Sequence, residues 1–99
     1  MTAVEGFTTA SGSAYEVHLD TRMIRRVGNA AGHPPTPRQG PDGQWRHFHD
    51  LVLVQLPGED VSIAIAWDGA GALTLTSPLA TVSPGLARLL GVPNHDGPA

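Results

Sequence analysis

Two histidines one residue apart, His47 and His49, with Asp50 directly after them, form the most suggestive chemical grouping in the sequence. Alternate side chains of a strand share a face, so both imidazoles would point the same way. A zinc ion there needs a third ligand, from Asp50, His18 or His33. Asp50 falls on the opposite face of a regular strand, however, and no His-Glu-x-x-His or comparable spacing accompanies the pair. Half-exposed histidines explain the pattern more simply, and neither a metal nor a cofactor is expected. Nucleophilic catalysis has less support still. There is no cysteine, no Gly-x-Ser-x-Gly elbow, and Ser11-Gly12-Ser13 reads as a turn. The carboxylates are scattered, and no glycine-rich phosphate loop opens a helix. The chain is read as non-enzymatic.

A second grouping suits binding. All six basic residues are arginines, and Arg22, Arg25, Arg26, Arg38 and Arg46 lie in the first half of the chain. Tyr15, Arg22, Arg25, Arg26, Trp45, Arg46 and His47 are the candidate partner-binding residues, because interface centres are enriched in Trp, Tyr and Arg. They suggest a small accessory protein that binds another protein or a second copy of itself. The alternative is a small β-barrel that binds nucleic acid through Arg22, Arg25 and Arg26, with Tyr15 or Trp45 as a stacking platform. A net charge of −3 and the absence of lysine weigh against the broad positive field such binding needs. The purely structural explanation pairs Arg25 or Arg26 with Glu16 across a hairpin and stacks an arginine on Tyr15. Arginine without lysine, alongside abundant Ala, Gly and Pro, also fits a GC-rich genome.

Composition sets the frame for these side chains. Ninety-nine residues suit one domain, spanning 1–93, with a modest core. Charged residues are only 15 %, and glycine and proline number 12 and 9, which favours short elements joined by turns over a helical bundle. No basic start followed by an apolar stretch marks a signal peptide. The longest uncharged run, 69–87, contains two prolines and many hydroxyl residues, which argues against a membrane span. A soluble, cytoplasmic protein is expected.

The element that organises the rest is the segment 61–67. Val61, Ile63, Ile65 and Trp67 form one large apolar face, and Ser62, Ala64 and Ala66 a small one. A five-residue loop would set Trp67 opposite Leu73 and Ile65 opposite Leu75, matching the two large faces. Ser77-Pro78 then interrupts, and 79–82 reads as a further short strand. Ser83 and Pro84 read as N-cap and first turn of a helix with Leu86, Leu89 and Leu90 as its stripe, ended by Gly91 and Pro93. The tail 94–99 is expected to be disordered.

The first half reads as a strand, a Ser11-Gly12 turn, and a second strand with Tyr15, Val17 and Leu19 on one face. Asp20-Thr21 reverses the chain into 22–27. A two-residue turn sets Val17 opposite Ile24 and Glu16 opposite Arg25; a three-residue loop sets Leu19 opposite Met23 and Tyr15 opposite Val27. The longer loop is preferred, because it buries more apolar surface and threonine resists positive φ. Residues 28–43 hold four prolines and four glycines and read as a mobile connector, with recognition through Pro34 to Pro37 as the lesser reading. Along 44–56, Trp45, His47, His49, Leu51 and Leu53 share one face and Arg46, Phe48, Asp50, Val52 and Val54 the other, with a bend near Asp50. Six or seven strands plus a two-turn helix predict a mostly antiparallel all-β domain, a small barrel or sandwich.

The opening 7–17 (FTTASGSAYEV), Arg22-x-x-Arg25-Arg26, the turn 42–45 (DGQW) and Thr76-Ser77-Pro78 together resemble a group of short, uncharacterised bacterial and phage proteins. That group has a T-x-S-G-S-x-Y-E opening, a basic second strand, a D-G-x-W turn and a late T-S-P. The resemblance spans residues 7 to 82 and implies a β-rich fold, with no activity attached.

Overall fold

The computed structural model describes residues 4–92 except 56 and 59. The tail 94–99 and the helix-ending Pro93 lie outside the described residues. The chain forms strands β1 (Glu5–Thr9), β2 (Ser13–His18), β3 (Met23–Asn29), β4 (Arg46–His47), β5 (Asp50–Gln55), β6 (Val61–Ala66) and β7 (Leu73–Val82), then helix α1 (Pro84–Leu90). All pairings are antiparallel. They give one seven-stranded sheet in the order β4-β3-β2-β1-β7-β6-β5, curled into a half-barrel rather than split into a sandwich. The outermost strands, β4 and β5, are separated by only two residues, so the sheet has to curl until its edges approach. Phe48 N donates to Arg22 O (2.9 Å) and His49 N to Ala66 O (2.7 Å), handing the chain from one edge to the other. This is the bend expected near Asp50, two residues earlier.

Residue alternation fills the concave side. Phe7, Tyr15, Val17, Ile24, Phe48, Leu51, Ile63, Ile65 and Leu86 make the buried core. Tyr15 lies flat on Phe7 with ring centroids 4.6 Å apart. Helix α1 caps this core with Leu86, while Leu89, expected in its buried stripe, is exposed. Ser83 makes no side-chain cap. Glu5 serves instead: its Oε1 accepts from Ser83 Oγ (2.6 Å) and from Leu86 N (3.1 Å). Gly85 makes room for that carboxylate, since a Cβ there would meet Oε1 at 2.6 Å. Among the described residues no helix is long and apolar enough to cross a membrane.

Two hairpin registers differ from expectation by one residue. β2 and β3 pair Val17 with Ile24, Glu16 with Arg25 and Tyr15 with Arg26, the register of the shorter turn. The obstacle of Thr21 at positive φ disappears because Arg22 takes that conformation instead, at φ 57°, ending a four-residue loop. Between β6 and β7, Ala66 faces Leu73 and Ile65 faces Thr74. The loop holds six residues, not five, so the two large apolar faces do not coincide. β7 also runs unbroken through Pro78, pairing first with β6 and then with β1.

A one-residue slip exchanges inner and outer faces. Arg26, Thr74 and Thr76 consequently turn inward, and Val27, Leu73 and Leu75 turn outward at 49 %, 62 % and 53 % exposure. Each exposed side chain forgoes roughly 1–2 kcal/mol of burial. At the bulge between Ser62 and Ala64, Thr76 Oγ1 stands in for the missing ladder bonds, donating to Ile63 O (2.9 Å) and accepting from Ile63 N (3.2 Å). Thr74 accepts from Trp67 Nε1 (2.8 Å).

Of residues 28–43, expected to be a mobile connector, Gly28 and Asn29 end β3 and the remainder is tied to the sheet. Asn29 Oδ1 accepts from Ala31 N and His33 N. Gln39 is buried and donates to the Tyr15 hydroxyl (2.6 Å), and Gly43 N donates to Arg26 O (2.7 Å).

Candidate functional site

The seven candidate binding residues separate onto two sides of the sheet. On the convex side, Arg25 extends over the indole of Trp45, its Cζ 4.7 Å from the ring centroid. His18 packs against the same indole at 4.7 Å with a 42° tilt. The alternation of β2 and β3 brings His18, Glu16 and Arg25 to this face, and pairing of Met23 with His47 adds β4 beside them. Arg25 Nε donates to Glu16 Oε1 (2.7 Å), the cross-strand pair that the shorter turn requires. Arg22 extends along the rim and donates to His49 O (2.6 Å). Trp45 stays half-buried and His47 exposed.

Tyr15, Arg26 and Arg46 belong to the other side, away from Trp45. Tyr15 stacks on Phe7 rather than on an arginine, because the inward face of β2 carries it beside Val17. Arg26 is buried. It donates through Nε and Nη2 to Asp42 (2.7 and 3.1 Å) and through Nη2 to His33 O (2.6 Å), pinning the long loop. Arg46 faces Ile24 across the β3–β4 ladder and lies under Gly40, where an added Cβ would sit 2.5 Å from its Nη2 and φ is 70°. Glycine is therefore needed at position 40 twice over. The Arg46 Nε is buried without a hydrogen-bond partner among the described residues.

The histidines are spread out. His18 stacks on Trp45, His33 lies in the long loop beside Arg26, and His47 pairs with Met23. Among the described residues, no group of three or more His, Cys, Asp or Glu is arranged to hold a metal ion.

Three carboxylates titrate below their ordinary range. Glu5 is lowered chiefly by the Ser83 hydroxyl, Asp42 by the Arg26 hydrogen bonds, and Asp68 by the backbone N–H groups of Ala70 and Ala72. Each is a weaker base in the folded than in the unfolded chain. Their contribution to stability is therefore complete above the ordinary carboxylate value and is lost as the pH falls through the lowered one. Thermal unfolding followed by circular dichroism should show a melting temperature that declines below about pH 4. Asp42→Asn should flatten that acid limb. An unchanged limb in this variant would show that the Arg26–Asp42 pair adds nothing to folding.

Set beside known proteins, the chain matches no family model, no curated protein and no solved structure. A functional reading therefore rests on the geometry alone.

Proposed function

We propose that this protein is a small non-enzymatic binding module that acts by contact with another protein, self-association included, through the convex face of β2, β3 and β4. One observation carries the reading: a tryptophan contacted by both a guanidinium and an imidazole while it stays only half-buried. An indole fixed in this way loses little conformational freedom on binding, and Trp and Arg are the side chains that most often dominate interface energies. Arg22 and His47 extend the face with further polar contacts. The partner expected here is a protein surface with an apolar depression for the indole and acceptor groups around it.

Nucleic-acid binding through the same strand is the second reading, favoured by the Arg25–Trp45 stack, which resembles a platform for a base. It ranks lower because Arg25 is paired with Glu16 and Arg26 with Asp42. Neutralised cations release fewer counterions from a phosphate backbone.

A pull-down from native cell extract, run beside a light-scattering mass, separates the cases. Retained protein, or a mass above the monomer, is expected. A clean monomer that retains nothing would overturn the protein-binding reading. A gel shift with random DNA and RNA at low salt that weakens steeply as salt rises would move the assignment to nucleic acid.

A further inference from the structure

The two edges of the sheet are finished differently. Strand β4 is two residues long, so one edge offers little to pair with. Strand β5, at the other edge, runs for six residues, Asp50–Gln55. It holds no proline and no basic residue, Asp50 is its single charge, and its pairing with β6 contains no bulge. Shortness, lysine, proline and bulges are the devices that keep edge strands from joining other chains. β5 carries none of them.

The hydrogen-bond phase shows which backbone groups this edge presents. Ile63 N and O are both bonded by Thr76 Oγ1, so that residue is turned to β7. Successive residues of an antiparallel strand direct their backbone groups to opposite sides. Ser62, Ala64 and Ala66 therefore face β5, and His49 N donates to Ala66 O (2.7 Å) accordingly. Their opposite residues, Val54, Val52 and Asp50, complete that ladder. Leu51, Leu53 and Gln55 are left with their N–H and C=O groups directed away from the sheet. Asp50 Oδ1 accepts from Leu51 N (2.9 Å), and among the described residues no loop or side chain bonds the others. Helix α1 packs on β5 but turns Leu86 and Leu90 to the core, and the side of a helix has no free backbone groups with which to extend a sheet.

We propose that two copies of this chain pair through β5, edge to edge and antiparallel, about a two-fold axis at Leu53. The strand is complementary to itself in that register. Leu53 meets its own copy and Leu51 meets Gln55 of the second copy, so outward backbone groups face outward backbone groups. Val52, 45 % exposed, meets Val54 of the second copy as a β-branched pair on the outer face. The two Asp50 carboxylates stay roughly 20 Å apart, where salt screens their repulsion. A second copy brings this match with it, and a two-fold contact closes on itself as a dimer. A single strand pair buries less than the roughly 1,200–2,000 Å² of a standard interface, so the dimer is weak. It uses none of the side chains around Trp45 and is separate from the protein-binding face.

Sedimentation equilibrium of the full chain from micromolar to millimolar concentration tests this. The wild-type chain should pass from monomer to dimer. Val52→Lys with Val54→Lys sets cations opposite each other across the axis and should leave only monomer, whereas Val52→Lys with Val54→Glu should restore the dimer. Trp45→Ala should dimerise like the wild type. Circular dichroism checks that each variant is folded. If the double-lysine variant is not, Gln55→Pro decides in its place, because it removes an outward N–H and no bond to β6. A monomer throughout the range would overturn the proposal. So would a dimer that survives the double-lysine change or Gln55→Pro, or a folded Lys–Glu variant that stays monomeric. Dimerisation lost in Trp45→Ala and kept in the double-lysine variant would assign self-association to the convex face and overturn the β5 pairing.

Discussion

Replacing Ile63 or Ile65 with alanine is expected to lower the unfolding free energy by about 2–5 kcal/mol in urea denaturation. Both side chains are 0 % exposed. They stand on the central of three strands, with Leu53 and Leu51 directly opposite on β5, so truncation leaves a cavity that rigid neighbours cannot close. For a domain whose total stability is typically about 5–15 kcal/mol, such a loss would unfold a substantial fraction of the protein on mild warming. Leu75→Ala is the informative control. In the register expected from matching the large faces, Leu75 would lie opposite Ile65 and its loss would be as costly. In the observed register it faces Ala64 from the outer side, and its truncation should change stability by only about 0.5 kcal/mol. A Leu75→Ala cost equal to that of Ile65→Ala would mean that the β6–β7 pairing is wrong.

This contrast shows where the sequence was informative. Alternation identified a buried strand at 61–67, observed as β6 over Val61–Ala66, and assigned Tyr15 and Val17 to one face and Glu16 and His18 to the other, because period two is a local property of the chain. Register is not local. It depended on which residue of 19–22 accepted positive φ, and Arg22, with no side-chain feature to advertise it, did so. It depended also on a bulge whose lost ladder bonds Thr76 could replace. From those two events followed the inward turn of Arg26 and the outward turn of Val27, Leu73 and Leu75.

The candidate site divided along the same line. Trp45 and His47 could be placed on one face because their alternation needs no partner strand to interpret it, whereas Arg25 and Arg26 were grouped together and the structure sends them to opposite faces. Tyr15 was already grouped with Val17, and its burial follows from that pairing, yet its hydroxyl made it look available. Its partner, Gln39, comes from the long loop and could not be foreseen. That loop was anchored by single polar residues, Asn29, Gln39 and Asp42, which leave no periodic trace in a segment dominated by proline and glycine.

Trp45→Ala should have the largest effect on binding of any single change. An aromatic anchor at an interface centre commonly accounts for 2 kcal/mol or more, so affinity for a protein partner should fall about 30-fold. Trp45 is half-buried and lies outside the core cluster, so the variant should remain folded. Leu75→Glu, on the outer face of β7, provides the matching control, since it alters an exposed apolar side chain away from the indole.

The most direct test of the proposed protein-binding role is to compare, at equal concentration, retention of the partner by the wild-type chain, Trp45→Ala and Leu75→Glu, or the dissociation constant of the dimer if the partner is a second copy. The account predicts that Trp45→Ala loses the partner and Leu75→Glu keeps it. Undiminished binding by a folded Trp45→Ala variant would contradict the assignment of the β2–β3–β4 face.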